Sequence, residues 1–283
     1  MAELDPRVNA FRADLAALAL KGMVDAPRYA QGDVTTVCRG VVPLRKDPRS
    51  DAALQTQTLY GEHFTVYDEK DGWAWGQAGL DNYVGYVETK ALLPNFLEAT
   101  HRVAALATPL LPVPGIKRAA LDLLPMNAKV KVAGEENRFA KIEDVGFVYA
   151  AHLEPLSNRH ADWVEAAESF LGVPYLWGGK TNAGCDCSGL VQTALELGGI
   201  SAPRDADMME EVLGGVLNFN DDLDRLQRGD LVFWKGHMGV MLDATRLLHA
   251  NVFHMQVAIE PLSQAVERIA QLEGTIRRIR RIG

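Results

Sequence analysis

The sequence has few cysteines, no long apolar run and no broad basic cluster, and each absence argues against a class of protein. Three cysteines in 283 residues argue against a disulfide-stapled fold. No stretch of about 18 consecutive apolar residues occurs, so no membrane-spanning helix and no membrane partner are expected. Basic residues cluster only in "RRIRR" near the C-terminus, and the net charge is −8. Because phosphate binding needs clustered Lys and Arg, nucleic acid is not the expected partner.

The N-terminal residues carry charges where a secretion signal would be apolar. The interrupting residues are Asp5, Arg7, Arg12 and Asp14, and no basic stretch precedes an apolar one. We therefore expect a cytoplasmic protein. At 283 residues the chain exceeds the roughly 100–150 residues of a typical domain, which predicts two or three domains.

Residues 1–30 are predicted to form an N-terminal helical segment. Apolar residues recur at helical spacing within 5–22, namely at Val8, Phe11, Leu15 and Leu18. This spacing predicts a short amphipathic helix that packs as a lid or strut on the next domain.

An internal repeat of short β-type runs follows. The stretch "GEHFTVYDEKDGWAWGQ" aligns with "NAKVKVAGEENRFAKIE", and "GYVETKALLP" aligns with "GFVYAAHLEP". Short strands separated by Gly and Asp turns predict two small β-barrels, at 31–97 and 98–156. The first copy contains an aromatic cluster: Trp73, Trp75, Tyr83 and Tyr86. Because strand side chains alternate between faces, one or two of these rings are predicted to face a neighbour or a ligand.

The C-terminal region, 157–283, mixes helical and strand patterns. "HADWVEAAESFLG" and "CSGLVQTALELGG" have helical periodicity, and each ends in glycine. "GDLVFW", "HMGVML" and "RLLHAN" are typical of strands, the first two joined near Lys235-Gly236, and "IRRIRRI" is expected to form an edge strand. Helices followed by antiparallel strands predict an α+β domain.

Two of the three cysteines lie in "AGCDCSGLVQ", where several chemistries are open. A redox pair usually has two residues between its cysteines, and Cys-x-Cys is too tight for easy disulfide geometry. A zinc site needs four converging ligands, and five candidates exist: Cys185, Cys187, His237, His249 and His254. Two packed, inert thiols form the third alternative.

The fourth alternative is a nucleophile at position 187. Cys187 is predicted to begin a helix, where unpaired N–H groups and the helix dipole favour negative charge. Both effects are expected to lower the thiol pKa, and the same N–H groups suit an oxyanion. Cys185 precedes the helix and gains neither effect, so Cys187 is the better candidate.

A thiol nucleophile needs a general base, and His237 and His249 are the candidates. A hairpin centred on Asp243 would place the two imidazoles opposite each other on one face of the sheet if its loop is odd in length. An even loop without a bulge would turn one of them away. A buried structural histidine is the alternative for each.

The order of motifs in the C-terminal region carries a specific resemblance. "PYLWGG", "DCSG", "PRD", "GDLVF", "HMGV" and a later His occur in this order with suitable gaps. The region resembles the NlpC family of papain-like cysteine peptidases, which implies a papain-like domain without metal or cofactor. The resemblance implies four catalytic residues: Cys187 as nucleophile, His237 as base, His249 as the residue orienting it, and Tyr175 at the oxyanion. It also implies that Asp186 and Ser188 line the substrate pocket.

The repeat resembles bacterial SH3-like domains through "LYGEHFTVY", "DGW" and "YVGYV". SH3-like barrels ahead of an NlpC domain resemble enzymes that cleave the γ-D-glutamyl–diamino acid bond of cell-wall stem peptides during muropeptide recycling. The expected substrates are L-Ala-γ-D-Glu-diamino acid peptides with a free amine, recognised by Glu62, Tyr83 and Asp186. Arg204 and Asp205 match a motif near the pocket, where Arg204 either contacts a substrate carboxylate or fixes the loop.

Two other functions stay open. A non-catalytic muropeptide-binding or sensing module could use the same fold. A general cell-wall hydrolase would act on intact peptidoglycan rather than on released peptides.

Overall fold

The computed structural model describes residues 4–94, 96–218, 223 and 225–283. The first three residues of the predicted helical segment lie outside these ranges. The chain divides into two compact units, Met1–Ser157 and Asn158–Gly283. Among the described residues, no helix is both long and apolar enough to cross a bilayer.

The N-terminal segment forms short strands, so the helix predicted within 5–22 is wrong. Strand β1 (Phe11–Arg12) pairs antiparallel with β2 (Leu15–Ala17), and β2 pairs parallel with β3 (Tyr29–Ala30). A single 3-10 turn covers Leu18–Leu20. All three residues of β2 are buried, against a cluster that includes Trp75 of the first barrel. Burial of consecutive residues favours strand pairing here, and tertiary packing overrides the helical spacing.

The first barrel is one antiparallel sheet of seven strands, in the order β10-β4-β7-β8-β9-β5-β6. The strands are β4 (Asp33–Val37), β5 (Val41–Arg45), β6 (Leu54–Leu59), β7 (His63–Lys70), β8 (Trp73–Ala78), β9 (Val84–Glu88) and β10 (Leu92–Leu93). A 3-10 turn, Thr89–Ala91, precedes the last strand. The hairpin between β7 and β8 turns at Asp71-Gly72, where both residues have positive φ. Trp75 and Tyr86 pack against the N-terminal segment, so these two rings face a neighbour as predicted.

The second barrel repeats the element order of the first in shorter strands. Its strands are β11 (His101–Val103), β12 (Ala107–Leu110), β13 (Asp122–Pro125), β14 (Lys129–Val130), β15 (Val132–Glu136), β16 (Phe139–Ile142), β17 (Gly146–Tyr149) and β18 (Leu153–Pro155). As in the first barrel, a hairpin and a third strand lead to a 3-10 turn, Ala150–His152, and a final strand. Mostly aliphatic residues fill the interior, among them Val103, Leu124 and Val148.

The C-terminal unit packs helices against a six-stranded antiparallel sheet. The helices are α1 (Val164–Glu168), α2 (Cys187–Leu197), α3 (Ala206–Val212) and α4 (Leu262–Ala270). The strands are β19 (Lys180–Thr181), β20 (Gly184–Cys185), β21 (Gly215–Leu217), β22 (Leu231–Trp234), β23 (His237–Met241), β24 (Arg246–Asn251), β25 (Gln256–Pro261) and β26 (Arg278–Arg281). Strands β19 and β20 form a separate ribbon, and the main sheet has the order β21-β26-β22-β23-β24-β25.

The predicted edge strand is an interior strand of this sheet. Strand β26 lies between β21 and β22. Arg280 of β26 is buried, and its guanidinium donates to backbone carbonyls at the end of α3, including those of Leu213 and Gly214 at 2.9 and 3.0 Å. An arginine is tolerated inside the sheet because these carbonyls satisfy its donors.

Helix α2 and the β23–β24 hairpin are the elements that position the candidate site. All residues of α2 except Glu196 are buried, so the helix runs through the core of the unit. The Asp186 carboxylate caps its N-terminus, accepting the Gly189 N–H at 2.7 Å. A cap at a buried helix start fixes the first turn, which carries Cys187.

Candidate active site

The two cysteines of "AGCDCSGLVQ" lie in different structural elements. Cys187 is the first residue of α2 and is 7% exposed, whereas Cys185 is in β20 and fully buried. Helix α2 packs against β23, the strand that carries His237, and the backbone N–H of Met238 on that strand lies near enough to lower the pKa of the Cys187 thiol. Of the two thiols, Cys187 therefore has the position a nucleophile needs.

The Cys187 thiol is protonated at rest. Burial raises its pKa to about 12, and the nearby Asp186 carboxylate adds to the effect. The N–H groups of Met238 and Ser188 act in the opposite direction but do not outweigh burial. The predicted lowering of this pKa is therefore wrong for the free protein. Forming the thiolate requires an acceptor for its proton.

His237 and His249 share one face of the β23–β24 hairpin. The His237 Nε2 atom lies 2.9 Å from His249 Nδ1. The pairs Val240–Leu248 and Met241–Leu247 make the loop odd in length, which confirms the shared face. These pairs centre the hairpin on Ala244 rather than Asp243. The Asp243 carboxylate accepts the N–H groups of Thr245 and Arg246 within the turn.

This one-residue shift makes the two histidines diagonal rather than directly opposite, which corrects the predicted register. Gly239 lies across from His249 instead. A Cβ at Gly239 would come within 3.1 Å of the His249 Cβ and 2.8 Å of a Leu247 methyl group. The bare glycine leaves the space in which the two imidazoles meet.

A carboxylate that the sequence analysis missed completes the chain of polar groups. Glu260 of β25 accepts a hydrogen bond from His249 Nε2 at 2.7 Å, and Arg268 of α4 bonds to the same oxygen. Glu260 pairs with Leu247, so it is the diagonal neighbour of His249 across the β24–β25 ladder. The available signal was a lone carboxylate in the apolar strand "QVAIEP", but its partner depends on the register.

Both imidazoles are neutral near pH 7. Burial is the main cause that lowers the pKa of His237, to about 3, and the neighbouring His249 lowers it further. Burial also lowers the pKa of His249, against the opposing effect of Glu260. A neutral imidazole next to a protonated thiol is the combination needed for proton transfer during attack.

Tyr175 lies close enough to Cys187 and Asp186 for these residues to shift the pKa of its phenol. Its backbone bridges to Cys185, and its N–H donates to the Met255 carbonyl at 2.9 Å. Burial raises the pKa of the Tyr175 phenol, and the proximity of Cys187 and Asp186 raises it further. The hydroxyl therefore stays protonated and can donate a hydrogen bond to a developing oxyanion.

Asp186 and Arg204 form a closed ion pair under the first turn of α2. The Arg204 Nη1 and Nη2 atoms lie 3.0 and 2.8 Å from the two Asp186 oxygens. Arg204 also donates to the Ser188 hydroxyl at 2.9 Å and the Gly179 carbonyl at 3.2 Å, and it is 1% exposed. Of the two alternatives for Arg204, these contacts match the one that fixes the loop.

Comparison with known proteins gives two family matches, each to a separate part of the chain. Residues 172–272 match the NlpC/P60 family, and residues 44–92 match the bacterial dipeptidyl-peptidase SH3 domain. The first match spans Cys187, both histidines and Glu260. The chain carries an NlpC/P60 cysteine-peptidase domain.

The curated relatives differ in their sequence identity to this chain and in how much of each chain the alignment covers. Dipeptidyl-peptidase 6 of Lysinibacillus sphaericus is 33% identical over 43% of this chain and 46% of its own length. The γ-D-glutamyl-L-lysine dipeptidyl-peptidases of Bacillus subtilis and Bacillus cereus are 26% and 27% identical. Those alignments cover 77% and 74% of this chain, and 79% and 71% of the relatives.

A solved structure supports the fold of the SH3-like and NlpC/P60 parts together. An NlpC/P60 family protein from Bacillus cereus has a TM-score of 0.73 at 19% identity. The match covers 88% of this chain and 99% of that protein. The papain-like α+β fold with an SH3-like N-terminal domain is thereby confirmed.

Three further residues were predicted to bind substrate, namely Asp205 in the C-terminal unit and Glu62 and Tyr83 in the N-terminal unit. Asp205 precedes α3, and its carbonyl accepts the Met209 N–H at 3.0 Å. In the N-terminal unit, Glu62 is 2% exposed and accepts the Leu59 N–H at 3.0 Å. Tyr83 is 3% exposed and packs in the core of the first barrel. Recognition of a substrate amine by Glu62 and Tyr83 stays a prediction.

The zinc site considered from the sequence is not assembled among the described residues. The ligand-type group that does converge there is His249, His254 and Glu260, with donor atoms within 4.8 Å of one another. The His249 Nε2 atom is bonded to Glu260, and the Arg268 cation lies against the same carboxylate. Both contacts oppose a further cation at this position.

Proposed function

We propose that this NlpC/P60 peptidase hydrolyses the amide bond between γ-D-glutamate and a diamino acid in peptidoglycan stem peptides. Its substrates are L-Ala-γ-D-Glu-diamino acid peptides with a free N-terminal amine, taken up for recycling in the cytoplasm. Two relatives, which align with 77% and 74% of this chain, are named γ-D-glutamyl-L-lysine dipeptidyl-peptidases. Their names support the choice of the γ-D-glutamyl bond as the one that is cleaved.

The observation that carries the chemistry is the hydrogen-bonded histidine pair on the sheet against which α2, the helix that begins with Cys187, packs. The backbone N–H of Met238, the residue after His237, influences the Cys187 thiol, and His237 Nε2 lies 2.9 Å from His249 Nδ1. Because the thiol is protonated and the imidazole is neutral, attack and proton transfer are coupled. The site is thus equipped for nucleophilic acyl transfer.

The reaction follows from these positions. The Cys187 sulfur attacks the γ-carbonyl carbon while its proton passes to His237. N–H groups of the first turn of α2 and the Tyr175 hydroxyl stabilise the tetrahedral oxyanion. His237 then protonates the leaving amine of the diamino acid, and a thioester to Cys187 remains. His237 next takes a proton from water, the hydroxide releases L-Ala-D-Glu, and the thiol regains its proton.

The first test compares the two cysteines. Cys187→Ala should reduce kcat/KM on L-Ala-γ-D-Glu-diaminopimelate by about 10⁴-fold or more, because the covalent route is lost. Cys185→Ala is the matched control and should keep near-normal turnover, although its buried site makes some loss of stability expected. Full activity of the Cys187 variant with loss in the Cys185 variant would reverse the assignment.

The second test addresses the substrate class. N-acetylation of the L-Ala, or leaving the sugar attached, should nearly abolish turnover if a free amine is required. Comparable rates on intact peptidoglycan would instead favour a general cell-wall hydrolase. Binding of the peptide without release of the diamino acid would favour a sensing module. Cell fractionation tests the cytoplasmic location separately.

A further inference from the structure

The carboxylate of Glu260 occupies the far end of the histidine chain. Its side chain is 9% exposed, and one oxygen, Oε1, takes both the His249 and the Arg268 hydrogen bonds. The Arg268 guanidinium is itself held, since it stacks 4.4 Å from the centre of the Phe253 ring. A carboxylate with a guanidinium at its oxygen remains ionised and can only accept hydrogen bonds.

An acceptor at this position determines where the protons of both imidazoles lie. A neutral imidazole has one N–H donor and one acceptor nitrogen. Because Glu260 only accepts, His249 must carry its proton on Nε2, which leaves Nδ1 as an acceptor. The His237 Nε2 atom, 2.9 Å away, must then donate to that nitrogen. The remaining nitrogen of His237, Nδ1, is left unprotonated.

We propose that Glu260, held by Arg268, is a positioning residue that selects the imidazole tautomers in which His237 Nδ1 is the base. The proposal rests on the proposed function, because His237 is the base of that reaction. Without the anion, His249 can carry its proton on either nitrogen. His237 then spends part of its time with an N–H where the thiol proton must be accepted.

Three groups face the Glu260 carboxylate from the surrounding elements. They are His249 of β24, Arg268 of α4 and His254 of the segment after β24. All three favour the ionised carboxylate, and they hold its pKa below the ordinary value in spite of burial. Near pH 7 the carboxylate is therefore charged in the resting protein, and the tautomers are set before substrate binds.

The decisive experiment observes the imidazole nitrogens directly by ¹⁵N-edited NMR of the full chain at pH 7, without substrate. In the wild-type protein, His237 and His249 should each carry their proton on Nε2. In Glu260→Gln, whose amide can donate as well as accept, both rings should show mixed tautomers. A wild-type His237 protonated on Nδ1, or identical tautomers in the two proteins, would overturn the proposal.

Kinetics supply the second readout, with a neighbouring carboxylate as control. Glu260→Gln should lower kcat about 10–100-fold with KM within twofold, by analogy with the hydrogen-bond partners of metal-bound imidazoles. Glu267→Gln, an exposed change on α4, the helix that carries Arg268, should leave both constants unchanged. An unchanged kcat in Glu260→Gln would contradict the proposal.

The experiments distinguish a failure of the Glu260 proposal from a failure of the proposed function. The NMR measurement needs no turnover, so a wrong substrate leaves it decisive. If the tautomers are as described but the wild-type protein does not cleave the peptide, only the proposed function fails. If Glu260→Gln does not fold, the wild-type spectrum alone still supports or overturns the assignment.

Discussion

Two carboxylate–guanidinium pairs flank the candidate site, and they differ in burial and in what else they contact. The Asp186–Arg204 pair joins two oxygens to two guanidinium nitrogens, with side chains 9% and 1% exposed. The Glu260–Arg268 pair uses one oxygen, which is shared with His249, and the Arg268 side chain is 23% exposed. In the first pair the two side chains bond to each other and to nearby backbone groups. In the second pair the carboxylate also bonds to His249 and so joins the proton-transfer chain.

The same pair of chemical groups, a carboxylate and a guanidinium, therefore serves stability in one place and imidazole protonation in the other. A fully desolvated pair is costly to break, because a lone buried charge remains. A partly exposed pair is less costly to break, since water can solvate the remaining charge. We therefore expect changes at Arg204 to act on folding and changes along the histidine chain to act on turnover.

Of the changes that test this comparison, the largest effect is expected from removing a histidine of the chain while the Asp186–Arg204 pair is left intact. His237→Asn should lower kcat about 10²–10⁴-fold, because no base remains to accept the thiol proton. Steady-state kinetics on the tripeptide measures this. His101→Asn is the control, since that ring lies in the second barrel, where it bonds to the Thr100 hydroxyl. Equal losses in both variants would contradict the assignment of the base.

The second prediction breaks the closed pair. Arg204→Met should reduce the free energy of unfolding by about 3–5 kcal/mol, because Asp186 is left charged and buried. Urea denaturation measures the change. Arg228→Met is the matched control on the same unit, where an arginine 33% exposed pairs with Asp162 and Glu168. That variant should lose no more than about 1 kcal/mol. Similar losses of unfolding free energy in the two variants would show that the buried pair stabilises the fold no more than the partly exposed pair does.

The third prediction concerns pH and the neutral histidines. An ordinary His pKa is about 6.5, and burial lowers that of His237 to about 3 in the folded protein. Below pH about 6.5 the unfolded chain therefore binds more protons than the folded one. The stabilisation is fully present above pH 6.5 and is lost progressively as the pH falls towards 3.

Urea midpoints at pH 7.5, 6.5 and 5.5 check the third prediction. The midpoint should fall over this interval, and the fall should be smaller in His237→Asn. His249 contributes in the same direction, since its pKa is also lowered. A midpoint that stays constant, or an identical slope in the variant, would show that the imidazole is not held neutral.

The smallest expected effect removes one bond from the closed pair. Ser188→Ala deletes the hydroxyl that accepts from Arg204 at 2.9 Å. The free energy of unfolding should fall by about 1 kcal/mol, because Arg204 keeps its bonds to Asp186 and Gly179. A loss as large as that of Arg204→Met would mean that the hydroxyl, rather than the carboxylate, stabilises the guanidinium.

Much of the fold and part of the site could be predicted from local sequence patterns. The helix that begins at Cys187, the strands on either side of Lys235-Gly236 and the repeated barrels follow from periodicity, capping and turn residues. Their signals lie within a few residues of the elements they describe. The N-terminal helix failed because the apolar spacing of 5–22 is compatible with a hairpin once Trp75 is available to pack against.

The sequence by itself determined which of two cysteines begins a helix and that His237 and His249 lie on two successive strands, whereas their shared face was decided by the loop length in the structure. Only the tertiary structure decided that the histidines are diagonal, that Glu260 ends their chain and that burial outweighs the helix start at the Cys187 thiol. The physical reason is the separation along the chain over which each effect acts. Capping and periodicity act between near neighbours, whereas register, desolvation and ion pairing depend on segments that meet only in the folded chain.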